Sequence, residues 1–420
     1  MKSANPIRSA ADGPLQHLRA SDIRAIAQLV VQATGGVARI TEGVHHSVLA
    51  TMGIPGSTAP GQTRGITGLV YRSVHVVAQL VGVSVDTMLA ALQVLFASDA
   101  ATKPETPQRA AVLAALNGVM GDRLVATNNP LASTMSLRYG NEVLNWHALP
   151  PILAPAGKVL LLIHGLCMSD LRRHAQQQGQ ISDHGAALAA ALGYTPVYLH
   201  YNSGLHISRN GRELSIQLEQ LFAHWPVALE ELSVVAHSMG GLLIRSAFHY
   251  ARQEGMRWPE RLKNIVFLGT PHHGAPLERF GNWADALLTS SAYTRPFAAL
   301  GQLRSAGITD LRYGHLLDED GHGQDRFQRT PDQRQIVPLP EGVACHTVAA
   351  TMAAKRSLLA DRLVGDGLVP LHSALGHHDD ARRKLDFVAA SQWIAHRMKH
   401  MELLSSPEVT RQMVRWLTPG

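Results

Sequence analysis

Apolar positions recur at helical spacing along the first third of the chain and in short continuous runs along the rest, with the change of texture at Pro150 and Pro151. Ile23, Ile26 and Val30 form one stripe, and Val37, Ile40, Val44 and Val48 form a second. Steps of three and four residues put side chains on one face of a helix. A longer stripe runs from Ile66 and Leu69 through Val77, Val81, Val85, Met88 and Leu92 to Phe96; its break near Gly82 predicts two helices. Pro55, Gly56, Pro60, Gly61 and the segment ATKPETPQ at 101–108 separate these helices, and the helical texture continues to about Leu144. Residues 1–150 are therefore expected to be a helical region that caps a site, rests on a membrane surface or serves only as a second packed unit.

From Lys158 onward the runs VLLLIH (159–164), PVYLHY (196–201), LSVVAH (232–237), NIVFLGT (264–270), CHTVAAT (345–351) and KLDFVAA (384–390) predict six strands. Helical patterns lie between them. Leu214, Leu218, Leu221 and Phe222 recur within Arg209–Trp225, and a last helix opens at Ser405 or Ser406 with Pro407 and Glu408 behind it. Strands alternating with helices predict an α/β domain over 151–420, with a mostly parallel sheet covered on both faces. The stretch 275–342 is too long for a simple crossover, and it holds the polar segment DEDGHGQDRFQRTPDQRQ at 318–335. It is expected to be a lid-like insertion.

Composition narrows the class. With 45% hydrophobic and 17% charged residues the chain has ample material for a core. The net charge is +6, yet Lys and Arg are scattered, with no block that would track a phosphate backbone, so nucleic acid is not an expected partner. A mildly basic surface suits anionic head groups or acidic substrates instead. Cys167 and Cys345 exclude a disulfide framework while leaving one bridge open. The first twenty residues lack the apolar core and cleavage site of a secretory signal, and Arg72, His75, Gln79 and Asp86 interrupt the most apolar stretch. The expectation is a cytoplasmic protein with at most peripheral membrane contact; oligomeric state is not encoded legibly.

The strongest chemical signal is AHSMGG at 236–241, between the apolar strand LSVV and the helical GLLIRSAFHYA. A serine between a strand and a helix sits on a tight turn at the carboxyl end of the sheet, where small neighbours relieve its strained backbone. Ser238 is thus the candidate nucleophile, with Ala236 standing where the commonest pattern has glycine; a serine that merely caps the helix is the alternative. The His-Gly turn in LLIHGLCMSD at 161–170 can present a backbone N–H to a developing oxyanion. The backbone N–H groups of Leu166 and Met239 are the expected donors. A serine hydroxyl needs an imidazole to accept its proton. His396 and His400 both follow the last predicted strand, and His400 is preferred because it allows a longer return loop before the final helix. Asp366, between two glycines in VGDGLVP, precedes the histidine and completes the order Ser, Asp, His. An ordinary Asp-Gly turn is its alternative reading, and Asp361 and Asp386 are weaker candidates.

Taken together, AHSMGG, the His-Gly turn, GTPHHGAP at 269–276, GDGLVP and the closing pattern from His400 through Leu403, Leu404, Pro407, Glu408 and Val409 resemble the lipase and esterase branch of the α/β-hydrolases, including the GPI inositol-deacylase-like lipases. The resemblance covers about Lys158 to the end and says nothing of the first 150 residues. It implies an α/β-hydrolase fold, an ester or lipid substrate and hydrolysis through an acyl-enzyme, with His272 and His273 near the cleft without a catalytic role. Two other readings remain: an acyltransferase using the same triad, and a silent fold used for binding. The 23 histidines include no H-E-x-x-H, and Asp318, Glu319 and Asp320 lack the alternation of a calcium loop, so no metal or cofactor is expected. Asn202 and His206 either line the cleft or belong to a plain loop.

Overall fold

The computed structural model describes residues 107–140, 142–146, 155–169, 183–275, 304–321, 332–353 and 365–418. The chain divides into two compact units, Met1–Arg109 with Thr127–Leu131, and Ala110–Ala126 with Ala132–Gly420. The helices expected between 21 and 96 lie outside the described residues. Among the described residues no helix is long and apolar enough to cross a membrane.

The second unit is built on an eight-stranded sheet: β1 (Ser136–Tyr139), β2 (Glu142–Val143), β3 (Lys158–Ile163), β4 (Thr195–His200), β5 (Glu231–His237), β6 (Leu262–Leu268), β7 (Ala344–Thr351) and β8 (Gln392–His396), in the order β2-β1-β4-β3-β5-β6-β7-β8. The β1–β2 and β1–β4 pairs are antiparallel, and every pair from β4 to β8 is parallel. This mostly parallel sheet, with helices on both faces and a serine turn at the end of β5, is the α/β-hydrolase fold.

The central strands are apolar on both faces because both faces are covered. On β3, Val159, Leu161 and Ile163 join a core with Leu214, Leu218 and Leu221 of α3 (Ile207–His224) and Leu243, Ile244 and Ala247 of α4 (Met239–Gln253). The alternate residues Leu160 and Leu162 join a second core with Leu188 of α2 (His184–Leu192) and Val409, Met413 and Leu417 of the C-terminal helix Pro407–Leu417. The strand's two-residue period thus assigns each helix pair to its own face. A third core, which includes Leu166, Met239, Leu242 and Leu311, also takes in Ala115 and Val119 of α1 (Pro107–Ala126).

Two expectations are corrected. The helical texture up to Leu144 holds over α1, but 136–143 form a hairpin on the sheet edge, with Leu137 and Leu144 buried in the core. The segment is too short for its period to separate helix from strand. The last strand is Gln392–His396 and not 384–390: residues 392–396 pair with Thr347–Thr351 of β7. Leu385 and Phe387 are buried at a two-residue spacing, which gives 384–390 a strand-like texture. The Leu385 N–H, however, meets the Gly376 carbonyl in a local loop and not a ladder.

Within the expected insertion, the described residues are anchored to this unit. Asp320 accepts the backbone N–H groups of Leu316, Leu317 and Gln335. Tyr250 of α4 accepts the N–H of Asp318, and Ser246 donates to the Leu316 carbonyl. Residues 276–303 and 322–331 lie outside the described set, and with them the tip of the proposed lid.

Candidate active site

Ser238 follows β5 and stands at the N-cap position of α4 with φ 56° and ψ −124°, its side chain making no cap hydrogen bond. A positive φ strains a residue with a side chain and is held only by its surroundings. Those surroundings are close. Its N–H donates to the Leu268 carbonyl at 2.8 Å, and its carbonyl accepts from Gly241 at 3.0 Å. A Cβ at Gly240 would stand 2.8 Å from the His164 carbonyl oxygen, and one at Gly165 would stand 3.0 Å from the Ser238 Cβ, so the turn and the His-Gly loop touch where only glycine fits. The Ser238 Oγ is buried and makes no hydrogen bond among the described residues. Leaving a buried hydroxyl unpaired costs about 1–3 kcal/mol.

Asp366 and His400 meet directly. The His400 Nδ1 donates to Asp366 Oδ2 at 2.7 Å, while Oδ1 accepts the N–H groups of Leu368 at 3.0 Å and Val369 at 2.8 Å. The His400 N–H also donates to the Asp366 carbonyl. Both side chains are almost wholly buried. Gly365 and Gly367, at φ 48° and 96°, turn the loop that carries the carboxylate. With Nδ1 bonded to a carboxylate, the other ring nitrogen, Nε2, is the one available to accept a proton. His396 takes the other path: it is the exposed last residue of β8.

The serine turn and the imidazole border the same backbone. Leu268 accepts the Ser238 N–H, and at the next residue, Gly269, a Cβ would lie 3.1 Å from His400 Nδ1 and Cε1. His237 stacks obliquely on His400 at 4.6 Å, and its Nε2 donates to the His400 carbonyl at 3.3 Å. Asp366, His400 and the Ser238 turn therefore gather at the carboxyl edge of β5, β6 and β7, where loops of this fold class carry chemistry. Met239 is the first residue of α4, whose opening N–H groups have no acceptor within the helix.

The loop bearing Leu166 is tied down by residues that the motifs did not point to. The Tyr201 hydroxyl donates to the His164 carbonyl and its ring stacks on the His164 imidazole at 4.4 Å. Ser203 accepts the Cys167 N–H at 3.1 Å. Cys167 itself has φ 56°, and its Sγ approaches the Ala115 carbonyl of α1. Gly118 of the same helix sits so close that a Cβ there would lie 2.2 Å from the Cys167 Sγ and 2.9 Å from its backbone. The only sequence signal for this contact is a glycine inside a helical pattern. Asn202 donates to the Gly121 carbonyl and accepts the Gly204 N–H, and His206 pairs with Asp310; these are structural bonds.

His272 and His273 adjoin this region in a cluster of arginines. The Arg334 Nη2 donates to His273 Nδ1 at 2.7 Å, and the His273 Nε2 donates to the Gly376 carbonyl at 3.1 Å, so the ring is neutral by geometry. Burial, then the Arg334 charge, pushes His273 down to about 3; burial beside Arg245 holds His272 well below its ordinary range. A depressed folded-state value means the unfolded chain binds protons first as pH falls, so stability declines from about pH 6.5 downward until the folded value is reached. Unfolding in urea is expected to show a loss on the order of a few kcal/mol between pH 7 and pH 4, beginning above the carboxylate range. Replacing His273 with Gln should flatten that slope. Equal slopes for both proteins would show that His273 does not set acid stability.

Among the described residues, no group of three or more His, Cys, Asp or Glu is arranged to hold a metal ion. A domain family of unknown function (DUF7379) matches residues 137–310. No curated protein matches the chain. Solved structures that resemble it include Bacillus licheniformis lipase BlEst2 in its mature form, at 18% identity and a TM-score of 0.40 over 63% of this chain and 96% of that one. Aspergillus fumigatus lipase B is similar at 12% identity and a TM-score of 0.38 over 62% and 53% of the two chains. A Pyrococcus furiosus esterase is similar at 13% identity and a TM-score of 0.36 over 62% and 81%. These are lipases and esterases.

Proposed function

We propose that this protein is a serine hydrolase of carboxylic esters that works through an acyl-enzyme. The observation that carries the reading is the buried Asp366–His400 pair gathered beside the strained turn of Ser238. In the proposed reaction His400 takes the Ser238 proton as Oγ attacks the ester carbonyl, and the N–H groups of Leu166 and Met239 receive the oxyanion. The alcohol leaves with the proton from His400. Water, deprotonated by the same imidazole, then attacks the acyl-serine and releases the acid. Asp366 holds the tautomer and offsets the imidazolium charge.

The lipase and esterase reading, similar to the GPI inositol-deacylase-like enzymes, rests on the order of the motifs around these residues, and it favours a lipid or other carboxylic ester as substrate. The decisive experiment is labelling with a fluorophosphonate, then hydrolysis of p-nitrophenyl esters of increasing chain length. A labelled Ser238 with ester turnover supports the proposal. Labelling without turnover on any ester would move the reading toward acyl transfer, and absence of both would leave a binding protein.

The contact between α1 and the oxyanion loop yields a further expectation. In Gly118→Ala the new methyl must displace Cys167, the neighbour of Leu166, and a misplacement of about 1 Å at such a group can lower the rate about a hundredfold. A fall in kcat of about 10- to 100-fold, with circular dichroism unchanged, is the expected outcome. Unchanged turnover would mean that α1 does not hold the donor loop.

A further inference from the structure

The imidazole and the serine hang from different strands. Both arms of the Asp366–His400 pair are tied to the end of β7: the Met352 N–H donates to the Gly365 carbonyl, and the Met398 N–H donates to the Thr351 carbonyl. Ser238 follows β5, and β6 lies between the two strands. The bonds of His400 to Asp366, through Nδ1 and through the backbone N–H, are internal to the pair. They orient the imidazole on its carboxylate but do not set its distance from Ser238.

His237 bridges that gap. It is the last residue of β5, its backbone runs directly into Ser238, and its side chain is buried. Its ring lies 4.6 Å from the His400 ring, and its Nε2 meets the His400 carbonyl at 3.3 Å. A carbonyl only accepts, so this nitrogen carries the proton. The ring also faces the His-Gly loop, since a Cβ at Gly165 would stand 3.1 Å from His237 Nδ1. One side chain therefore touches the turn His400–Leu404 and the loop that carries Leu166. The far end of the turn is fixed separately: His184 Nε2 donates to the Leu403 carbonyl at 2.8 Å. At 3.3 Å the His237 bond is long, as bonds in unliganded active sites often are before they tighten around the reacting groups.

We propose that His237 is a positioning residue for the reaction: its Nε2–H anchors the His400 backbone to the strand that leads into Ser238, and so sets the distance over which the serine proton moves. The inference rests on the hydrolase reading above. A general base works only within about 2.6–3.2 Å of the group that gives up its proton, and a misplacement of about 1 Å can lower the rate about a hundredfold. The anchor acts on proton transfer and not on ester binding. Its loss is therefore expected in kcat, with KM little changed.

Three variants of the full-length protein test this. His237→Phe keeps a ring that cannot donate, and His237→Asn keeps an amide whose nitrogen lies no further out than Nδ1, short of the His400 carbonyl. His237→Gln carries its amide nitrogen about as far along the side chain as Nε2. On one p-nitrophenyl ester, the Phe and Asn variants should each lower kcat about 10- to 100-fold at little changed KM and slow the fluorophosphonate labelling of Ser238, whereas Gln should restore most of kcat. Unfolding temperatures identify any variant that fails to fold, and either donor-less variant is sufficient for the comparison with Gln. Wild-type kcat in a folded donor-less variant, a folded Gln variant as slow as these, or a change confined to KM would overturn the proposal. So would failure of both donor-less variants to fold, which would make His237 a structural residue. Absence of labelling and turnover in the wild type would instead defeat the hydrolase reading, and the inference with it.

Discussion

Replacing Ser238 with alanine is expected to abolish fluorophosphonate labelling and to lower kcat for ester hydrolysis by about 10³-fold or more. The size reflects what the hydroxyl does in the proposed reaction: without it there is no acyl-enzyme, and only the oxyanion donors and binding remain to accelerate direct attack by water. The fold should survive. The Ser238 Oγ makes no hydrogen bond among the described residues, so its removal breaks none, while the backbone bonds to Leu268 and Gly241 stay. Alanine also keeps the Cβ that the turn at φ 56° already tolerates. Circular dichroism and the unfolding temperature of the variant should therefore match the wild type. Full labelling of Ser238→Ala would remove Ser238 from the nucleophile's role.

Exchanging the two late histidines should separate them sharply. His400→Ala is expected to bring activity down to near background, because it removes both the proposed proton acceptor and the partner of Asp366, whereas His396→Ala should keep most of the activity. His396 is exposed at the end of β8, and among the described residues the Asp366 carboxylate bonds to His400 and to the N–H groups of Leu368 and Val369 instead. Asp366→Asn offers a finer reading. An amide in place of the carboxylate can present its N–H₂ to His400 Nδ1, which favours the wrong tautomer and has lowered kcat about 10⁴-fold in a comparable triad. Steady-state rates on one p-nitrophenyl ester check all three variants. An inactive His396→Ala beside an active His400→Ala would transfer the role of base to His396.

The Ser238 turn was legible because its requirements are local: an apolar run, a serine, small residues on either side and a helical pattern succeed one another within a few positions. Asp366 was legible for a similar reason, since two glycines around a carboxylate announce a sharp loop. Choosing between His396 and His400 was harder. Both lie in one short segment, and a last strand expected at 384–390 places both histidines in the loop beyond the sheet, whereas His396 is itself the final residue of β8. Burial of Leu385 and Phe387 imitates a strand, and only the ladder opposite Thr347–Thr351 distinguishes Gln392–His396. The role of α1 was illegible, because its glycines carry no sign of what they approach.

Sequence alone determined the α/β class, a mostly parallel sheet covered on both faces, and the candidates for serine chemistry. Each of these depends on neighbours in the chain: period, breakers and turn chemistry act over a few residues. Tertiary structure decided which groups meet. It joined Asp366 to His400 across 34 positions and set Gly118 of α1 against Cys167. It also laid the His237 ring against His400, 163 positions further along the chain. Such meetings depend on strand order and on the path of loops, which residue type and spacing do not encode, and their energetics arise only when water is excluded from between groups far apart in the chain.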